Sequence, residues 1–219
     1  MATLYVIGTP IGNLEDITLR ALRILKEVDI VLCEDTRTTR VLLSNYEIKT
    51  PTESYHMHST DGKIEKIIDY LKEGKNLALV SDAGTPGISD PGSFLVQQVL
   101  EAGFKVESVP GASALTTALS ILGVPCDQFT FYGFLPHKKG RQTLFTEIKE
   151  SERTSVFYES PHRIIKSLEA LQGTKKNIGI ARELTKMFEQ VIKGSPEEVL
   201  AYFTKNADKV RGEFVVVVY

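Results

Sequence analysis

Short β-branched runs alternate with amphipathic helical patterns along this chain, and that alternation restricts the fold more than any single motif. Leu4-Tyr5-Val6-Ile7 reads as a strand. Residues 18–26 read as a helix, with Leu19, Leu22, Ile24 and Leu25 at helical spacing and Asp16 placed to cap it. Residues 29–33 form a second strand pattern, and residues 63–72 carry Ile64, Ile67, Ile68 and Leu71 on one helical face. A strand at 77–80, a helix at 94–100, a strand at 106–109 and a helix at 113–122 complete the series. Strands separated by helical crossovers pair in parallel and carry helices on the faces of their sheet. The first half is therefore expected to be α/β with a mainly parallel sheet.

The texture changes after Gly123-Val124-Pro125. An aromatic-rich strand at 129–134 leads into a basic loop, His137-Lys138-Lys139-Gly140-Arg141. Helices at 142–149 and 162–171 follow, with strands at 155–158, 178–181, 187–193 and 213–218. The last two strands lack connections that force parallel pairing, so this half should hold a mixed sheet. The fold expected is two α/β domains, residues 1–122 and 123–219, with the junction near residues 111–127.

Charge enters the argument through its distribution. The 219 residues carry a net charge of −2, which weighs against a bulk nucleic-acid binder. Residues 1–127 hold 11 basic and 17 acidic side chains, whereas residues 128–219 hold 15 and 11. Such an asymmetry is either ordinary solvated surface or a basic half that meets a phosphate backbone. Cys33 and Cys126 are far apart and unpatterned, which suggests neither a disulfide framework nor a cysteine zinc site. No apolar run approaches the length of a membrane span, and the N-terminus lacks a signal-peptide pattern. A cytoplasmic location is expected, with no membrane partner and no metal.

The segment most suggestive of chemistry is Ser81 to Gly92, with Gly84, Gly87, Gly92, Pro86 and Pro91 in a tight loop after a buried strand. In an open α/β sheet this is the carboxyl edge, where ligands bind. Asp90 and Pro91 also suit the cap and first position of the following helix. A phosphate-binding loop is excluded by the absence of Gly-Lys-Ser/Thr. The dinucleotide fingerprint is missing too, since Gly8-Thr9-Pro10-Ile11-Gly12-Asn13 follows the first strand. His56 and His58 are the closest histidine pair and read as a strand edge rather than a zinc site.

Seven segments taken in order resemble a known family. Gly8 to Thr18, Glu34-Asp35-Thr36-Arg37, Ser81 to Gly92 and Val109 to Ala114 resemble the tetrapyrrole-methylase superfamily. Gly133 to Arg141, Tyr158 to Arg163 and Ala181 to Lys186 narrow the resemblance. They are similar to the branch that methylates the 2′-hydroxyl of a cytidine in small-subunit ribosomal RNA. The resemblance implies S-adenosylmethionine in a cleft between two α/β domains, and a homodimer. It places Ile11, Gly84, Thr85, Ile88, Gly111, Ala112, Ser113, Tyr158, Arg182 and Glu213 around the cofactor. Ile11 and Ile88 also read as core, and Gly111 and Ala112 as helix packing. Thr85 stands where the wider superfamily has Asp, so no acidic role is carried over there. That branch commonly has a further small helical C-terminal segment, whereas this sequence ends in the strand pattern Val215 to Tyr219.

A ribose hydroxyl needs a proton acceptor as the methyl bond forms. Asp35 and Glu159 are the candidates, each at a strand end beside an arginine. The alternative for each is an ion pair that only holds a loop. Arg37, Lys138, Lys139, Arg141 and Arg163 are expected on RNA phosphates. Arg182 and Glu183 are alternatively expected to pair across the cleft. A tetrapyrrole macrocycle methylase using the same cleft is the alternative substrate class, and a non-enzymatic binding module is a third.

Overall fold

The structure is a computed structural model that describes residues 2–56 and 61–219. His58 of the histidine pair lies outside the described residues. The chain divides into two compact units, Met1–Ser113 and Ala114–Tyr219. The change of texture in the sequence puts the end of the first domain at residue 122. The helix Ala114–Leu122 packs instead on strands of the second unit and belongs with it.

In the first unit five strands form a fully parallel sheet: β1 (Thr3–Ile7), β2 (Ile30–Cys33), β3 (Thr52–Ser54), β4 (Leu77–Leu79) and β5 (Lys105–Val109). Their order is β3-β2-β4-β1-β5. The connecting helices are α1 (Leu19–Glu27), α2 (Thr36–Asn45), α3 (Asp61–Lys72) and α4 (Ser93–Glu101). Two buried clusters line the sheet, one around Ile7, Leu25, Val31 and Ala78 and the other around Leu4, Leu32, Ile67 and Leu79. Successive strand residues point to opposite faces, so Leu4 and Ile7 serve different layers.

Caps explain where these helices start. Thr18 caps α1 by accepting from the Ala21 amide, while Asp16 ends a short 3-10 turn that Asn13 caps. The Thr hydroxyl therefore takes the role expected of Asp16. Asp35 caps α2, a helix whose Thr-rich start hides its apolar face, Leu42 and Leu43. Gly92 precedes α4 and makes no side-chain cap, so Asp90 is released from the capping role expected of it.

The second unit contains α5 (Ala114–Leu122), β6 (Phe129–Phe134), α6 (Arg141–Glu150), β7 (Thr154–Glu159), α7 (Ile164–Leu171), β8 (Ile178–Arg182), β9 (Gln190–Gly194), α8 (Pro196–Lys205) and β10 (Phe214–Val218). The sheet order is β6-β7-β10-β8-β9, with β6 and β7 parallel and the other pairs antiparallel. The mixed sheet expected from the sequence is present. Its core packs Phe145, Phe157, Phe203 and Phe214 with Leu168 and Val216. The strand expected from residue 187 begins at Gln190, because residues 183–189 turn with Glu183 and Thr185 at positive φ. Ser195 and Glu198 close a capping box on α8.

Candidate active site at the carboxyl edge of the first sheet

Because β4, β1 and β5 are neighbours, the loops that follow them meet at one edge. The Gly8 amide donates to Val109 O at 3.0 Å. Thr9 and Gly84 exchange backbone hydrogen bonds at 2.8 and 3.1 Å. The Thr9 hydroxyl donates to Ser81 O at 3.1 Å, and the Ser81 hydroxyl lies 3.2 Å from Gly84 O. A Cβ on Gly111 would stand 2.5 Å from Gly8 O, so only glycine permits this approach of two backbones. Gly84, at φ +81°, faces the Ile11 side chain and the Ala112 carbonyl. Ile11, Gly84, Thr85, Ile88, Gly111, Ala112 and Ser113 thus all lie on three interlocked loops. Ile11 is buried, whereas Ile88 is 47% exposed and is not core.

Carboxylates gather beside these loops. A cleft of about 440 Å³ at the ends of β2, β3 and β4 is lined by Glu34, Asp35, Arg37, Ser54, His56 and Asp82. Asp82 accepts from the Asp35 amide at 3.1 Å. Asp35 caps α2 and pairs with Arg37, 2.6 Å between Nη2 and Oδ2. Those bonds from Arg37 hold its carboxyl down at about 2. Such an acid makes a poor base near neutral pH. Asp90 behaves in the opposite way. Burial first, and then the charges of Glu34 and Asp82, push its carboxyl up to about 6. In the sequence the position of Asp90 fits a helix cap, which leaves no sign of this raised carboxyl.

The remaining expected residues lie in the second unit, around one end of its sheet. Phe214 pairs with both Glu159 and Arg182, which brings Tyr158, Glu159, Arg182 and Glu213 to that end. Glu159 is an anchor. Its side chain is fully buried and receives Arg141 at 2.7 Å, Arg163 at 2.8 Å, the Ser167 hydroxyl at 2.6 Å and the Ser160 amide at 2.9 Å. Of the two readings made from sequence, the loop-holding ion pair is the one this geometry fits. Arg141 and Arg163 also donate to Pro136 O and Leu135 O, so neither guanidinium is presented to a phosphate. Lys138 and Lys139 are exposed and make no ion pair among the described residues, and Arg37 stays exposed although paired. Arg182 donates to Arg211 O at 2.8 Å, while Glu183 takes Lys186 at 3.0 Å, so these two do not pair with each other. Glu213 is exposed and also meets Lys186 at 3.0 Å.

Residues 3–200 match the family model described as Tetrapyrrole (Corrin/Porphyrin) Methylases. The chain belongs to the tetrapyrrole methylase family. Ribosomal RNA small subunit methyltransferase I of Thermotoga maritima is 46% identical over 219 residues, which cover 99% of this chain and 98% of that protein. Its namesake in Bacillus subtilis is 46% identical over 221 residues, covering 100% of this chain and 75% of that protein. Among solved structures, diphthine synthase superposes with a TM-score of 0.77 at 15% identity, covering 100% of this chain and 89% of that one. That likeness carries the fold alone. The tetrapyrrole methylase relatives along the whole chain are methyltransferases, and this chain is one too; its reaction requires a methyl donor. Among the described residues no group of His, Cys, Asp and Glu is arranged to hold a metal, and no helix is long and apolar enough to cross a membrane.

Proposed function

We propose that this chain transfers a methyl group from S-adenosylmethionine to the 2′-hydroxyl of a cytidine in small-subunit ribosomal RNA. The observation that carries this reading is the 46% identity, over 98% of its length, to a protein named for methylation of that RNA. The first unit's edge fits the donor chemically. Three glycine-rich loops expose backbone groups beside the apolar side chains of Ile11 and Ile88, an arrangement suited to a nucleoside. Glu34, Asp82 and Asp90 make the neighbourhood negative, which suits a cationic sulfonium and its ammonium group. Ile11, Gly84, Thr85, Ile88, Gly111, Ala112 and Ser113 would hold it, and when bound it supplies an electrophilic methyl. Tyr158, Arg182 and Glu213 complete the proposed cofactor set from the second unit.

The chain's own residues position the acceptor and take its proton. Asp90, tuned near 6, is ionised at neutral pH and basic enough to accept a proton as the hydroxyl attacks. Lys138 and Lys139 meet the RNA backbone. Arg141, Arg163 and Glu159 act indirectly, by fixing the loop that carries those lysines. Orientation supplies much of the rate enhancement in such a displacement, on the order of 7–11 kcal/mol in favourable cases.

The test uses purified small ribosomal subunits that lack the modification, with S-adenosylmethionine labelled in its methyl group. Label is expected on the ribose of one cytidine. Absence of label from RNA, together with transfer to a porphyrinogen, overturns the reading in favour of a macrocycle substrate.

A further inference from the structure

The second sheet carries an aromatic stripe that leads to the basic loop. β6 and β7 run in register with Phe129 opposite Thr154 and Phe131 opposite Val156. Beyond that point the register slips, so that Phe134 stands opposite Tyr158. β6 therefore takes three steps where β7 takes two, and the extra residue is absorbed beside Gly133 at φ +62°. In an unbroken strand Phe134 would share a face with Tyr132, which packs against the core of this unit. The bulge turns it to the opposite face, beside Phe131 and Tyr158. The Phe131 and Phe134 rings each meet Tyr158 edge to face, with centroids 5.0 and 5.4 Å away.

Within the second unit, α5 covers the far end of this face. Phe131, Val156, Val217 and Gly179 form one row across the sheet, and Leu122 of α5 sits against Gly179. Phe134, at the other end, is 57% exposed. The chain then anchors itself at Leu135, whose carbonyl accepts from Arg163 at 2.8 Å, and re-emerges as the exposed stretch Pro136 to Gly140. Lys138 and Lys139 follow Phe134 by four and five residues. The bulge sets one edge of the Phe134 ring on Tyr158 and leaves more than half of the side chain open to solvent, shortly before two lysines that make no ion pair among the described residues. Single-stranded RNA is bound by this combination, with bases stacked on aromatic rings and phosphates on basic side chains.

We propose that Phe134 is a positioning residue on which an unstacked base of the RNA stacks, while Lys138 and Lys139 meet the adjoining phosphates. The inference rests on the RNA reading above and assigns its binding platform. Because every base has a π-face, Phe134 would hold the strand without choosing its sequence. Its removal should therefore raise KM and leave kcat in place.

The chain contains no tryptophan, so Phe134→Trp introduces a single emitter at the proposed platform. Titration of that variant with a short single-stranded oligocytidylate should quench the emission saturably. The titration should weaken with salt and shift to higher concentration when Lys138 and Lys139 are both alanine. With small ribosomal subunits, Phe134→Ala should raise KM by about 5- to 150-fold. Its kcat, melting temperature and affinity for S-adenosylhomocysteine should match the parent, and Phe134→Tyr should restore KM. An unchanged KM in Phe134→Ala overturns the inference. So does tryptophan emission that follows protein concentration and ignores RNA, because the face then belongs to a second copy. If the unaltered chain labels RNA and Phe134→Ala does so equally well, stacking alone falls. If the unaltered chain labels no RNA, the substrate reading falls and this inference with it.

Discussion

Asp90, in the loop before α4, and Glu159, at the end of β7, are both carboxylates, and their surroundings treat them in opposite ways. Asp90 has a native pKa near 6 against 3.8 for an ordinary aspartate. Between those values the folded chain holds a proton that the unfolded chain has lost, so stability falls as pH rises through that window. Asp90→Asn should raise the unfolding free energy at pH 7 by about 1–2 kcal/mol after solvent screening, measured by urea titration. The gain should vanish near pH 4. The same variant should lose about 10²- to 10⁴-fold in kcat/KM, while the unaltered chain's kcat/KM rises with pH through about 6. An active Asp90→Asn with an unchanged pH profile would remove Asp90 from the reaction. Glu159 is the reverse case, since its removal strands two arginines that are only 15% and 16% exposed. Glu159→Ala should lower the unfolding free energy by about 3–5 kcal/mol. A base at that position would show a loss of kcat at full stability. The sequence made both residues visible, but it could not separate their roles. Glu159 has one arginine four residues away and the other eighteen positions back, a contact only the fold creates.

At the level of elements, strands and crossover helices were legible wherever local period and burial agree, as in β1, β4 and α3. Helices α2 and α8 are hidden in the sequence because their start signals are polar. Asp35 caps a Thr-rich turn, and Ser195 and Glu198 box the first turn of α8. The β6 bulge was illegible for a different reason: a lone glycine in an aromatic strand does not reveal which side chain it redirects. The approach of the β1 and β5 loops is set by Gly8 and Gly111. Their contact is backbone on backbone, so no side-chain rotation relieves an added methyl. Gly111→Ala should destabilise the chain by about 1–3 kcal/mol and weaken binding of S-adenosylhomocysteine, read by calorimetry. Gly62→Ala serves as the comparison. Gly62 is helical with nothing near its would-be Cβ, and this change should stabilise by about 0.5–1 kcal/mol.

Across the whole molecule, the net charge of −2 conceals two differently charged units. Met1–Ser113 holds 11 basic and 16 acidic side chains, and Ala114–Tyr219 holds 15 and 12. The excess of three positive charges in the second unit overstates the cations it offers to a ligand, because Arg141 and Arg163 are committed to Glu159. Sequence alone counts all four basic residues of this region as phosphate contacts, since an ion pair with a buried partner leaves no mark on composition. The structure leaves Lys138 and Lys139 as the cations open to solvent in that loop. Each phosphate neutralised on a single strand contributes about 0.7 to the slope of log affinity against log salt. Lys138→Ala with Lys139→Ala should therefore flatten the salt dependence of RNA binding by about 1.4, measured by fluorescence anisotropy across a salt series. Arg141→Ala should leave that slope unchanged in whatever fraction stays folded, and should lower the melting temperature instead. Equal flattening by Arg141→Ala would show that its guanidinium leaves Glu159 for the RNA, and the division between anchoring and binding cations would then fail.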